Sequence, residues 1–436
     1  MSRISPNNIN AVDRASAPAV HPVVPLPLPE VRRMKLDNGV KLVVLPCPTL
    51  EIARFTAVVG GGACEASPME VASAVAAMRS RGTTGHNAAQ IAHEVDINGS
   101  WTGSTSGPHF STSTIFALDQ KAAAVLPIFA ETLFAPTFPD KELDTEKKRL
   151  ASRLQINMTT VGYQVSAASG RLTFGAGHPL ARVMSPAGYL ALSRDELVDF
   201  QRRYARPADI TLFAVGNVTA ERERFLNSIF GSFATEPADR EPLDIKPFAP
   251  APGGTVEKVE VADAAQSAVT ITLPGLPRTH PDYLALRLTV MALGGYFGSR
   301  LSQNIREDKG MTYGITAGLL GYREGGVVQI STRCDASYVD AVIEETFREI
   351  DRMGTDIMAP EEMTRMRQAE IASLIETTDS PFSTMDFYQT LLTHDLPDDY
   401  FRQRCITAQS ITADEIRECA ARYLRSSDAL TAVAGK

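Results

Sequence analysis

The sequence predicts an α+β protein of two tandemly duplicated domains, each a mainly antiparallel sheet packed with helices on one face. Three observations predict it. The chain has 436 residues, and at roughly 150 residues per domain that is room for two or three units. ALSRDELVDFQRRYARPADITLFAVGN at 191–217 matches SITADEIRECAARYLRSSDALTAVAGK at 410–436. Asp195, Glu196, Tyr204 and Gly216 recur as Asp414, Glu415, Tyr423 and Gly435, a constant spacing of 219 residues (414 − 195). Upstream, FPDKELDTEKKRLASRL at 138–154 is echoed by APEEMTRMRQAEIASL at 359–374. A register held this long marks an internal repeat. Hairpins, long helices and alternating strands together fit helices on one side of a sheet.

The elements follow in order. Residues 1–29 are rich in Pro, Ser and Asn and are expected to form an extended arm. The first domain is expected over 30–234. It opens with VRRMKLDNGVKLVVLP, in which Asp37-Asn38-Gly39 separates two alternating runs as a hairpin turn does. IARFTAVVG continues as a third strand. Ser67-Pro68-Met69-Glu70 then predicts a capped helix start, with Ser67 as cap and Glu70 closing a capping box, and the helix runs to about Arg81. TEPADREPLDIKPFAPAPGGT at 235–255 is Pro-rich, charged and aperiodic, and reads as a linker. The second domain occupies 256–436. In both repeat ends a helix with an acidic first turn leads into an apolar strand.

Composition excludes several functions. Hydrophobic residues at 44% and charged residues at 22% exclude wholesale disorder and fibres. A net charge of −8 and a single Trp argue against nucleic acid as the partner, since phosphate binding needs a basic footprint. The five Cys are scattered without a C-x-x-C pair, as in reduced, buried thiols. No segment approaches the ~18 apolar residues of a membrane span, and the N-terminus lacks a signal-peptide pattern. The expected location is cytoplasmic, or periplasmic if a leader has been omitted.

Local motifs supply no complete active site. Among the seven His no two are four apart, so neither H-E-x-x-H nor H-x-x-E-H occurs. His86 and His93 could share a helical face, but two ligands do not close a zinc site. GSTSG at 103–107 puts Thr where a G-x-S-x-G nucleophile would stand. There is no Walker loop, and GGYFG at 294–298 does not follow the dinucleotide pattern.

Four segments nevertheless resemble one family. They are LDNGVKLVVLP with the following strand and GGGACE at 60–65, the helix ending in RGT at 81–83, the charged helical run at 140–154, and LGGYFGSRLSQNIREDKGMTYGI at 293–315. Over nearly all of 30–436 the chain resembles the pitrilysin/insulinase family of inverted-motif zinc peptidases, which includes the mitochondrial processing peptidases. The last segment is the most specific. It looks like the family signature in which Ser-Arg-Leu opens a helix and Arg-Glu-x-x-Gly-x-x-Tyr closes it. Ser299 would cap that helix, Leu301 and Ile305 would anchor it, and Gly310 would stop it.

The resemblance places the family's two zinc-binding His and its Glu at Ser73, Ala77 and Ala76, anchored on Gly82-Thr83, and its third ligand at Arg153. All four have lost their donors, so no metal is expected in this chain. The family's Arg and Tyr pair is present as Arg306 and Tyr313. Read alone, Arg306 is a helix-end cation beside Glu307 and Asp308, and Tyr313 a strand-face aromatic. The resemblance implies that Arg306 holds a peptide carbonyl or carboxylate and that Tyr313 donates to the carbonyl oxygen as it becomes negative. The implied role is the zinc-free subunit of a heterodimeric metallopeptidase, inactive alone. Its partner would be a homologous catalytic subunit with an intact H-x-x-E-H and the Zn²⁺, and the substrate a peptide or unfolded segment. Two alternatives from other classes are a non-proteolytic structural homologue, like core subunits of respiratory complexes, and a stand-alone peptide-binding homodimer.

Overall fold

The computed structural model describes residues 25–234 and 246–436. Most of the N-terminal arm and the first part of the 235–255 linker therefore lie outside the described residues. Two sheets form the frame. The first contains β1 (Arg32–Lys35), β2 (Lys41–Pro46), β3 (Ile52–Gly60), β4 (Trp101–Ser106), β5 (Phe110–Leu118) and β6 (Thr211–Gly216), in the spatial order β1-β2-β6-β3-β5-β4. The second contains β7 (Val256–Glu260), β8 (Ser267–Gly275), β9 (Thr312–Gly321), β10 (Gly326–Cys334) and β11 (Leu430–Gly435), in the order β7-β11-β8-β10-β9. Without β1, the two orders are the same. Each sheet also has one parallel pair, β2 with β6 and β7 with β11, among antiparallel neighbours. The duplication is thus a duplication of topology.

The repeated sequence explains the repeated structure. Ser193 caps the helix Arg194–Tyr204 and Glu196 returns the bond; Thr412 and Glu415 do the same for Ala413–Tyr423. Each box satisfies orphan N–H groups at a helix start. The following strand ends at Gly216 or Gly435. A Cβ on Gly216 would stand 2.9 Å from the Ala53 Cβ, and one on Gly435 would stand 2.7 Å from the Ser267 Cα. A side chain at either end would push the neighbouring strand away. The Asp37-Asn38-Gly39 turn forms as expected, with Lys35 opposite Lys41.

Both faces of each sheet are covered, because the halves exchange helices. In the first sheet Leu42, Val44, Phe55, Ala57, Leu212 and Ala214 face helices of their own half. The alternate residues Val43, Leu45, Val58, Phe213 and Val215 pack instead against Leu374, Met385, Phe387, Leu391 and Phe401 of the second half. Successive strand residues point to opposite faces, so one strand serves two cores. The reciprocal contact is made by the helix Val161–Phe174. Its Val165, Ala168 and Leu172 cover Ala268, Leu430, Ala432 and Ala434 of the second sheet. Thr173 and Thr272 pair across that seam at 2.8 Å. The described end of the linker is pinned here too, through Ala249 N–H to the Phe174 carbonyl and Ala251 N–H to the Leu172 carbonyl.

Two expected caps differ. The first-half helix spans Glu70–Met78 and continues as a 3-10 turn to Arg81, but Ser67 does not cap it. Glu70 is buried, and its carboxylate accepts instead from the Ser185 N–H at 2.8 Å, securing the start of the helix Pro186–Ala191. Ser299 is also buried, and its hydroxyl caps nothing. Leu301 and Ile305 are fully buried anchors as expected.

Candidate functional site

Ser73, Ala76 and Ala77 lie together on the helix Glu70–Met78, which packs against the helix Asp140–Met158. Ser73 Oγ is engaged, 3.0 Å from the Glu70 carbonyl and 2.7 Å from the Tyr189 hydroxyl. Ala76 and Ala77 border a cavity of about 220 Å³ between the helices and strands β4 and β5. Into it points Glu146, whose side chain is only 4% exposed. Arg149 Nε lies 3.0 Å from both Glu146 carboxylate oxygens, and Arg81 stands 3.8 Å away. Pairing with Glu146 raises the Arg149 pKa, as an opposite charge favours the charged form. Sequence reasoning passed over Glu146. Its signal was available, because Glu146 lies seven residues before Arg153 and so on the same helix face. Arg153 itself is exposed and does not border the cavity.

This arrangement does not suit the family's zinc ion. Two of the four positions offer no donor, Ser73 is already engaged, and the nearby carboxylate is matched by guanidinium groups. A divalent cation would meet two positive charges and no imidazole. His86 and His93 do not combine either. His86 precedes the helix Ala88–Ile97 and bonds Glu131 at 2.9 Å, whereas His93 is exposed on that helix.

Arg306 and Tyr313 do come together. Residues Ser302–Asp308 form a π-helical turn, a widened geometry common where a side chain must be re-aimed. The Lys309 N–H reaches back to the Asn304 carbonyl, and Gly310, at φ 61°, lets the Met311 N–H bond the Ile305 carbonyl. That closure ends the helix and starts β9 at Thr312. The Arg306 guanidinium stands 4.0 Å from the Phe297 ring centroid and 5.8 Å from that of Tyr313. Its Nε lies 3.4 Å from Glu307, the local pairing that the helix end suggested. Phe297 is 64% exposed and Tyr313 92% exposed. A phenol this open, beside a cation held by ring faces, is presented outward and not packed.

Tyr313 also borders an open groove of about 800 Å³. Its walls come from both halves: Asn157, Thr160 and Tyr163 on one side, and Gln329, Ser331 and Arg333 on the other. The groove follows β8 to β10, and β9 and β4 are outer strands of their respective sheets.

Comparison with known proteins shows what the chain is similar to. Residues 191–370 match the family described as the peptidase M16 inactive domain. That stretch is similar to the M16 peptidase family. The chain is 22% identical over 347 residues to the uncharacterized zinc protease SCO5738 of Streptomyces coelicolor, across 77% of this chain and 74% of the relative. It is 22% identical over 361 residues to the uncharacterized zinc protease YmxG of Bacillus subtilis, across 81% and 86%. Among solved structures, a peptidase M16 inactive domain from Pseudomonas fluorescens superposes with a TM-score of 0.84 at 20% identity, covering 93% of this chain and 98% of the other. A protease from Helicobacter pylori gives 0.83 at 15% identity, covering 94% and 100%. The M16 fold therefore extends over nearly the whole chain, both halves included. Among the described residues, no helix is long and apolar enough to cross a membrane.

Proposed function

We propose that this chain is a member of the M16 peptidase family and the zinc-free subunit of a heterodimeric zinc peptidase. One contrast carries the reading. The metal positions are filled by Ser73, Ala76 and Ala77, with Glu146 held by arginines, while Tyr313 is 92% exposed beside Arg306. A zinc position without metal donors and an open Arg/Tyr pair suit a division of labour between two chains.

On this reading a homologous partner with an intact H-x-x-E-H holds the Zn²⁺ and supplies the general base. Arg306 fixes a carbonyl or carboxylate of the bound peptide by charge-assisted hydrogen bonds. Tyr313 donates its O–H to the scissile carbonyl oxygen as negative charge develops there. Phe297 holds the guanidinium plane, so that Arg306 loses little freedom when substrate arrives. Substrate adds as an extended strand to the sheet edge of the catalytic partner.

The test is reconstitution. The purified chain is assayed against unfolded polypeptide alone and after mixing with an M16 homologue that carries H-x-x-E-H. Peptidase activity is expected only in the mixture. Chelator-sensitive cleavage by the chain alone would overturn the proposal. Stable assembly without any gain in activity would favour a structural role.

A further inference from the structure

Away from the degenerate zinc positions, three side chains converge at the meeting of the two halves. Cys64 follows β3, His109 immediately precedes β5, and Glu324 sits in the turn between β9 and β10. Their Sγ, ring nitrogen and carboxylate oxygen lie within 4.8 Å of one another. A fourth group stands behind them. Glu65 Oε1 is 2.7 Å from His109 Nδ1, which leaves Nε2 facing the cluster.

The alignment of these atoms is informative. His109 Nε2 stands 2.8 Å from Glu324 Oε1, an ion-pair contact whose ring N–H is poorly aligned for a regular hydrogen bond. Glu324 Oε2 also has no hydrogen-bond partner, although the Glu324 side chain is only 4% exposed. Orphaned buried polar atoms are costly and uncommon. The three groups crowd into one small volume, and Glu324 keeps an unused acceptor there.

We propose that Cys64 Sγ, His109 Nε2 and Glu324 form a binding site for a divalent transition-metal ion of the Zn²⁺ class. Thiolate, imidazole and carboxylate together favour a borderline-soft ion over Mg²⁺ or Ca²⁺. With bonds of about 2.3 Å to sulfur and about 2.0–2.1 Å to nitrogen and oxygen, tetrahedral ligand atoms stand roughly 3.3–3.7 Å apart. The 4.8 Å limit accommodates that spacing, and His109 Nε2 and Glu324 Oε1, 2.8 Å apart without the ion, would separate by about 0.5 Å around it. Glu65 on Nδ1 supplies the carboxylate that commonly orients a metal-bound imidazole. Charge also balances. One thiolate and one carboxylate offset the ion, and the Arg182 guanidinium, which donates to the Ala63 and Cys64 carbonyls at 3.2 and 3.1 Å, adds a positive charge that favours the thiolate.

Without metal the cluster holds protons. Burial pulls the His109 pKa down, but Glu324 and Glu65 outweigh it and raise it to about 9. Burial, with the charges of Glu65 and Glu324, raises the Cys64 thiol to about 12. An entering ion displaces these protons, so binding strengthens as pH rises. Cys64 is only half-buried, so of the three ligands it is the one nearest solvent. Since Cys64 and His109 belong to the first half and Glu324 to the second, the ion would clamp the halves together.

Cobalt(II) tests this directly on the full chain after chelator treatment. One equivalent should bind and produce the near-ultraviolet absorption of a thiolate–cobalt bond, and Zn²⁺ should compete it away. Cys64→Ser should abolish the band. Glu324→Gln, which preserves shape, should weaken binding more than tenfold, and Glu65→Gln by about 10–100-fold. Circular dichroism confirms that each variant is folded. Absence of the band in the wild type, or an unchanged band and affinity in folded Cys64→Ser and Glu324→Gln, would overturn the site.

Discussion

Arg306 and Tyr313, seven positions apart in sequence, lie with the guanidinium 5.8 Å from the phenol ring centroid, and the Phe297 ring centroid stands 4.0 Å from the same guanidinium. The cation is therefore oriented before any partner arrives. Orientation of this kind reduces the entropy lost on binding.

That relationship makes Arg306→Lys a sharp variant. An ammonium keeps the charge but loses the planar fork and the ring stacking. Turnover of the reconstituted peptidase should fall at least tenfold. Thermal stability should change little, because the site is at the surface. The check is steady-state kinetics beside a melting curve.

The seam between the halves gives a second expectation. Arg54, with a side chain 9% exposed, bonds Asp386 at 2.7 Å and the Phe382 carbonyl at 3.0 Å. It also lies 5.4 Å from the Phe382 ring centroid. Arg54→Ala should cost about 1–3 kcal/mol in urea unfolding. Asp386→Asn should cost less, because Asp386 is 60% exposed and exposed partners are screened.

The repeated capping boxes give a third. Ser193→Ala and Thr412→Ala should each cost about 1 kcal/mol. They lie at equivalent places in different halves, so the double variant should be close to additive. Chemical denaturation of all four proteins measures this.

His394 gives a pH dependence. Burial, reinforced by Arg278 and Arg323 and opposed by Asp395, lowers its pKa to about 4, with a smaller effect from His109. Above about pH 6.5 the ring is neutral in both states. Below that, the unfolded chain takes up a proton that the folded chain refuses until about pH 4, so stability falls as pH falls through this window. His394→Gln should flatten the wild-type loss between pH 7 and 5, seen as a shift in urea midpoint.

The duplication was legible because Ser193, Glu196 and Gly216 have local tasks that recur at Thr412, Glu415 and Gly435. Helix starts and strand ends are decided by near neighbours. The exchange of helices was not legible. The apolar residues of Val161–Phe174 announce burial but do not say which sheet buries them. The Ser67-to-Glu70 box failed for a related reason, since Glu70 finds a distant N–H at Ser185. The Arg/Tyr pair was legible as a motif, though its exposure was not. Cys64, His109 and Glu324 share no sequence spacing at all, and only the meeting of the halves brings them together.

The central claim is that this chain lends a phenol to a zinc site in another chain. The most direct measurement is the turnover number of the reconstituted pair with Tyr313→Phe, alongside the dissociation constant of assembly. The account predicts a fall in turnover of about 10²–10³-fold with assembly unchanged. Full turnover in a correctly assembled Tyr313→Phe pair would contradict it.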